Sequence, residues 1–213
     1  MRALRCLLQV VVLGLLPAAA GADPVRPEAG GVPSPFMRVY SSAYPPYGFV
    51  QFCRRSPEEC VAGLLTESRI AATPARLSEL DEINRAVNRA IAPATDLDLY
   101  GVQEYWTLPA DRGDCEDYAI LKRHLLIARG WPAGALLLTV VRDEIGEGHA
   151  VLTVRTTQGD FVLDNKRPEI RIWHKTGYQF VMRQSYVDPK AWLSLEPNDA
   201  YGPAPLTGMP REE

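Results

Sequence analysis

The chain has 213 residues, with 23 Lys and Arg against 26 Asp and Glu, 46% hydrophobic and 23% charged residues. That is the composition of one globular domain. A net charge of −3 with no long basic run excludes a protein living on nucleic-acid phosphates, and no apolar stretch near 20 residues follows the first 20 positions, which excludes a later membrane span.

In chain order, Met1-Arg2-Ala3-Leu4-Arg5 is a short basic start, Cys6 to Leu16 an apolar run, and Pro17 to Ala22 a small-residue end. This is the pattern of a secretory signal peptide over residues 1–22, with a short N-terminal anchor as the alternative. Cutting after Ala22 removes Arg2 and Arg5 and leaves a mildly acidic, exported chain. Residues 23–35 are rich in Pro and Gly without periodicity and read as a linker. The folded domain is expected over 36–195.

Export changes the meaning of the cysteines. Cys53 and Cys60 flank a short polar segment containing Pro57, and in an oxidising compartment this pair is expected to close a disulfide. Cys115 is then left over. It is either a buried inert thiol or a reactive one.

Between Leu77 and Ile91 the apolar residues Leu80, Ile83, Val87, Ala90 and Ile91 recur at helical spacing. Ser78 or Thr73-Pro74 could start this helix, and its polar face, including Asn88, reads as solvated. Asp114 to Arg129 predicts a second helix, apolar nearly all round and therefore buried, stopped by Gly130-Trp131-Pro132. Strand-like runs follow at 135–142, 150–156, 161–163, 170–173 and 179–184, with Thr157-Gln158-Gly159-Asp160 as a hairpin connection. Helices followed by an antiparallel sheet predict an α+β fold with the buried helix on the sheet. Residues 196–213 hold four Pro and read as a flexible tail.

The chemistry centres on Cys115 in Gly113-Asp114-Cys115-Glu116-Asp117. A helix N-terminus supplies free N–H groups and the positive end of a dipole, which favour a thiolate and an oxyanion. A nucleophilic thiol also needs a base and a group to orient it. Among three histidines, His124 lies nine residues along the same helix, more than two turns away. His174 reads as a surface residue. His149 starts a strand after Gly148, and the hairpin returns Asp164, at the end of the next strand, beside it. The candidate triad is Cys115, His149 and Asp164.

With Tyr105-Trp106, Gly113-Asp114-Cys115-Glu116-Asp117-Tyr118-Ala119, Gly148-His149-Ala150-Val151-Leu152 and Val162-Leu163-Asp164-Asn165, the chain resembles the bacterial transglutaminase-like cysteine peptidases over roughly Phe36 to Leu195. These include periplasmic proteases that clip biofilm adhesins. The resemblance implies a papain- or transglutaminase-like fold, with Cys115 as nucleophile, His149 as general base and acid, and Asp164 as orienter. It implies a periplasmic enzyme that cleaves a protein substrate through a thioacyl-enzyme, with a surface adhesin as candidate target and an inner-membrane receptor as candidate regulator. It places a second oxyanion donor just upstream, at Trp106 or Gln103, Trp106 reading equally as a core residue. It also implies Ca²⁺ held by Asp114 and Glu116, with Asp117 third. Without the ion, those acids would cap the helix and oppose its dipole at the thiol. Two other functions share these residues: an acyl transferase, and a non-enzymatic module in which Cys115, His149 and Asp164 hold a metal, for which their spacing is poor.

Overall fold

The computed structural model describes residues 33–62 and 67–197. The expected signal segment, most of the expected linker and nearly all of the expected tail lie outside the described residues. Among the described residues no helix is long and apolar enough to cross a membrane.

The elements are β1 (Ser41–Ala43), α1 (Tyr47–Arg55), α2 (Pro74–Ala90), β2 (Ala92–Pro93), α3 (Asp96–Tyr100), β3 (Arg112–Gly113), α4 (Cys115–Ala128), β4 (Leu136–Arg142), β5 (Gly148–Thr156), β6 (Gly159–Leu163), β7 (Arg171–Ile172), β8 (Gln179–Gln184) and β9 (Trp192–Ser194). Seven strands form one antiparallel sheet in the order β1-β9-β8-β4-β5-β6-β7, and β2 and β3 make a separate two-residue parallel pair. The expected α+β arrangement is present, with more elements than the sequence patterns showed.

Helix α2 begins at Pro74, the Thr73-Pro74 start of the two that the sequence offered. Thr73 accepts from the Arg76 amide, and Pro74 takes the first-turn position where its missing N–H is harmless. Its apolar stripe of Leu80, Ile83 and Val87 packs into the core shared with Tyr118, Ile120 and Leu126 of α4 and Leu138, Leu152, Leu163 and Met182 of the sheet. Val141, Val151, Val162 and Phe180 form a smaller cluster on the opposite sheet face with Met37 from the segment before β1. Two buried layers explain why β5 reads as a nearly continuous apolar run rather than an alternating one.

The predicted strand at 170–173 shortens to Arg171–Ile172, because Trp173 opens a 3₁₀ turn through Lys175. The Cys53–Cys60 disulfide is formed and bridges the end of α1 to the 3₁₀ turn Pro57–Cys60. Cys115 is the free cysteine among the described residues.

Candidate active site

Cys115 is the first residue of α4, half-buried, with Asp114 extended at the N-cap position. Gly113 lies just before it because a Cβ there would stand 2.5 Å from Asp117 Oδ2. His149 enters from β5 and is buried, and the amide of the next residue, Ala150, donates to Cys115 Sγ at 3.4 Å. The strand start carrying the imidazole is therefore fastened to the thiol.

The hairpin places Leu163 opposite Leu152, so Asp164 leaves β6 beside the start of β5. Its Oδ1 lies 2.9 Å from His149 Nε2. That contact leaves Nδ1 as the ring nitrogen able to exchange a proton with a thiol. Asp164 is held by groups that the sequence did not expose. The Tyr178 hydroxyl donates to Oδ2 at 2.6 Å, the Lys166 amide donates to Oδ1 at 2.9 Å, and Asn88 of α2 donates to the Asp164 carbonyl at 2.8 Å. Asn88, expected to be solvated, is thus a strut for the carboxylate's loop. The Tyr178 ring also meets the His149 ring edge-on at 5.7 Å between centroids. Burial pushes the Asp164 carboxyl up, but the bonds from His149 and Tyr178 outweigh it and hold the acid below its ordinary range. It is an ionised carboxylate against the imidazole.

The electrostatic conflict foreseen at Cys115 is present. Burial pushes the thiol well up, and the charges of Glu116 and Asp114 push in the same direction. The thiol donates to Glu116 Oε2 at 3.2 Å. Glu116 is itself pushed well up by burial and by Asp114.

Asp114 makes no side-chain cap bond, so it does not serve as a helix cap. Its carboxylate turns toward α3, with Oδ2 3.4 Å from the Asp96 amide. Asp96, Asp114 and Glu116 place one carboxylate oxygen each within 4.8 Å of one another. Burial raises Asp96 to about 6, and Oδ1 of Asp96 and Oδ1 of Asp114 are buried without a partner. Three crowded carboxyls with unpartnered oxygens, and with no basic residue bonded to them among the described residues, are a donor set suited to a hard dication.

Asp117 does not join this group. Its Oδ1 accepts from the Thr107 amide at 2.8 Å, and burial raises it to about 8. Asp96, from α3, is the third member of the cluster. The β2–β3 pairing explains how, since Pro93 lies opposite Gly113 and the Ala94 amide donates to the Gly113 carbonyl at 3.0 Å, which carries Asp96 to Asp114. Cys115, His149 and Asp164 are not among the described residues' candidate metal groups.

Trp106 is a core residue. It is buried, packs edge-on against Phe49 and Trp192, and donates its indole N–H to Glu104 Oε2 at 3.0 Å. A donor engaged in this way does not serve an oxyanion. His124 pairs with Glu59, and His174 lies in the 3₁₀ turn after β7, half-buried against Trp173.

A free thiol at a helix start, bonded by the amide next to a buried imidazole–carboxylate pair on an antiparallel sheet, is the arrangement of a transglutaminase-like cysteine hydrolase. The chain belongs to the bacterial transglutaminase-like cysteine proteinase family, whose sequence profile matches residues 39–200. No curated protein sequence is significantly similar to it. Among solved structures, it is similar to Legionella pneumophila LapG. The EGTA-treated form shows 25% identity and a TM-score of 0.45 over 53% of this chain and 64% of that one. A second LapG structure gives 25% and 0.45 over 53% and 65%. The calcium-bound form gives 23% and 0.49 over 64% and 78%. In the first two, the match spans less than two thirds of LapG.

Proposed function

We propose that this chain is an exported thiol peptidase in which Cys115, His149 and Asp164 hydrolyse a peptide bond of a protein substrate. The observation carrying this reading is the 2.9 Å contact of His149 Nε2 with Asp164, made on a strand whose next amide rests on Cys115 Sγ. The Cys115 proton passes to His149 Nδ1 as sulfur bonds to the scissile carbonyl carbon. Backbone N–H groups of the first turn of α4 face the developing oxyanion. Collapse breaks the C–N bond, and the leaving amine takes the proton from His149. Water, deprotonated by the same imidazole, then cleaves the thioester and returns the thiol. Asp164 holds the ring tautomer and stabilises the imidazolium.

Asp96, Asp114 and Glu116 would hold Ca²⁺. The bound cation would neutralise the acids that now raise the thiol. The periplasm is the proposed location, from the signal-like residues 1–22, and a surface adhesin is the proposed target, from the family resemblance.

Purified mature protein is incubated with candidate exported proteins, and the cleavage products are sequenced. Cys115→Ala should retain the wild-type melting curve and lose turnover; retained turnover refutes the reading. Chelation should lower both activity and Tm, added Ca²⁺ should restore both, and Asp96→Asn with Asp114→Asn should remove the Ca²⁺ response of the Tm. An unchanged melting curve in excess chelator refutes the cation site while leaving the peptidase reading to the Cys115 test.

A further inference from the structure

On the sheet face opposite α4, Arg69, Arg155 and Arg183 all lie within electrostatic range of one carboxylate, Asp160. Arg155 lies opposite Asp160 in the β5–β6 pairing, and Arg183 lies opposite Thr139 on β8–β4. Directly paired residues share a face, and this is the face of Val151 and Val162, opposite α4. Asp160 is fully buried and already engaged: Oδ1 accepts from Arg69 at 2.7 Å and Oδ2 from the Met37 amide at 2.8 Å.

Arg155 and Arg183 are 8% and 3% exposed. Nε and Nη1 of Arg155 and Nε of Arg183 are buried without a partner, and the polar contact of Arg183 is a 3.4 Å bond from Nη1 to the Gln184 carbonyl. A guanidinium keeps its charge under all ordinary conditions, so burial without a counter-charge is strongly unfavourable. Burial first, and the charge of Arg155 next, lower Arg183 to about 10. Arg69 and Asp160 form a pair, so two positive charges remain uncompensated within the cluster. On the outer side, the half-exposed Tyr186 ring covers the Arg155 guanidinium with 4.3 Å between charge and centroid.

We propose that Arg155 and Arg183 form an oxyanion-binding site, of the size and charge of phosphate, with the Tyr186 ring as its removable outer wall. A compact dianion matches both the excess charge and the three unpartnered nitrogens, and forked donors suit a tetrahedral oxyanion. Arg155 stands six residues along β5 from His149, about 20 Å away, and Arg183 lies two strands across from β5, on β8 level with Val151.

The test uses the mature protein and inorganic phosphate, with sodium chloride matching ionic strength in the reference buffer and no added calcium. At a tenfold excess over Kd, phosphate should raise the Tm by about 3–6 °C. Arg155→Met should melt above the unsubstituted protein in phosphate-free buffer, because an uncompensated buried charge is gone, and phosphate should then leave its Tm unchanged. Equal rises in both proteins would be general solute exclusion and would overturn the site. Calorimetric titration of the unsubstituted protein keeps the test independent of the variant's folding: one phosphate per chain supports the site, and no saturable heat refutes it.

Discussion

Replacing Lys122 by Met tests whether a buried cation on the nucleophile's helix is held uncharged. Lys122 is fully buried on α4, its Nζ has no hydrogen-bond partner among the described residues, and the Tyr118 ring centroid is 5.8 Å away. Burial lowers its pKa from 10.5 to about 7, with the Asp164 charge opposing the shift. Between these values the unfolded chain binds more protons than the folded one, so this group's contribution to stability rises with pH. At pH 7 it disfavours folding by about 4 kcal/mol, and at pH 9 by about 2 kcal/mol. Met fills a similar volume without a charge. Lys122→Met should therefore be the more stable protein at pH 7, and its advantage should shrink by about 2 kcal/mol by pH 9. Urea unfolding of both proteins at pH 7, 8 and 9 measures the difference directly, and groups common to both cancel. A stability difference independent of pH would refute the neutral lysine.

Tyr178→Phe removes one hydroxyl from Asp164 and keeps the ring against His149. A bond to a charged acceptor contributes about 1.5–3 kcal/mol, so kcat should fall about tenfold or more with KM little changed. Asp164, having lost a donor that favours its ionised form, should move the acid limb of the kcat/KM profile to higher pH; an unmoved profile would reduce Tyr178 to packing. For the Cys53–Cys60 bridge, thiol counting on unfolded, unreduced mature protein should return one, and reduction should lower stability by no more than about 3 kcal/mol because the loop is short.

The parts of the fold visible in the sequence are those with sustained periodicity. The body of α2, all of α4 and strands β4, β5 and β8 fall within a few residues of their expected spans. The short elements carry no such signal: β1 and β9 have three residues each, α3 has five, and β2 and β3 have two. This difference governs the site. Cys115, His149 and Asp164 lie on or next to long elements, and a hairpin register is enough to juxtapose the last two. Asp96 follows a two-residue strand whose partner lies about twenty positions away, and in sequence it looks like part of an ordinary first-turn cap after Thr95. Tyr178 was equally hidden, since nothing local distinguishes it from the other tyrosines.

Helix α4 also shows why composition misjudged its surroundings. It reads as apolar nearly all round, yet Glu116, Asp117, Lys122 and Arg123 are among its buried residues. Each occupies a different level. Glu116 and the N-cap Asp114 meet Asp96 at the start, and Asp117 holds the Thr107 amide. Lys122 lies one to two turns further on, within reach of the Asp164 charge. Arg123 donates to the Leu136 carbonyl at 3.2 Å and to the Glu59 carbonyl at 2.9 Å, while His124 contacts the Glu59 carboxylate at 2.6 Å. These last contacts dock the disulfide-bridged segment against the helix. A rigid bridge there limits movement of the helix's middle without touching its start. On the proposed reading, a cation bound at Asp96, Asp114 and Glu116 would act on the thiol through local rearrangement of one turn, with the rest of α4 fixed between sheet, α2 and the bridged segment.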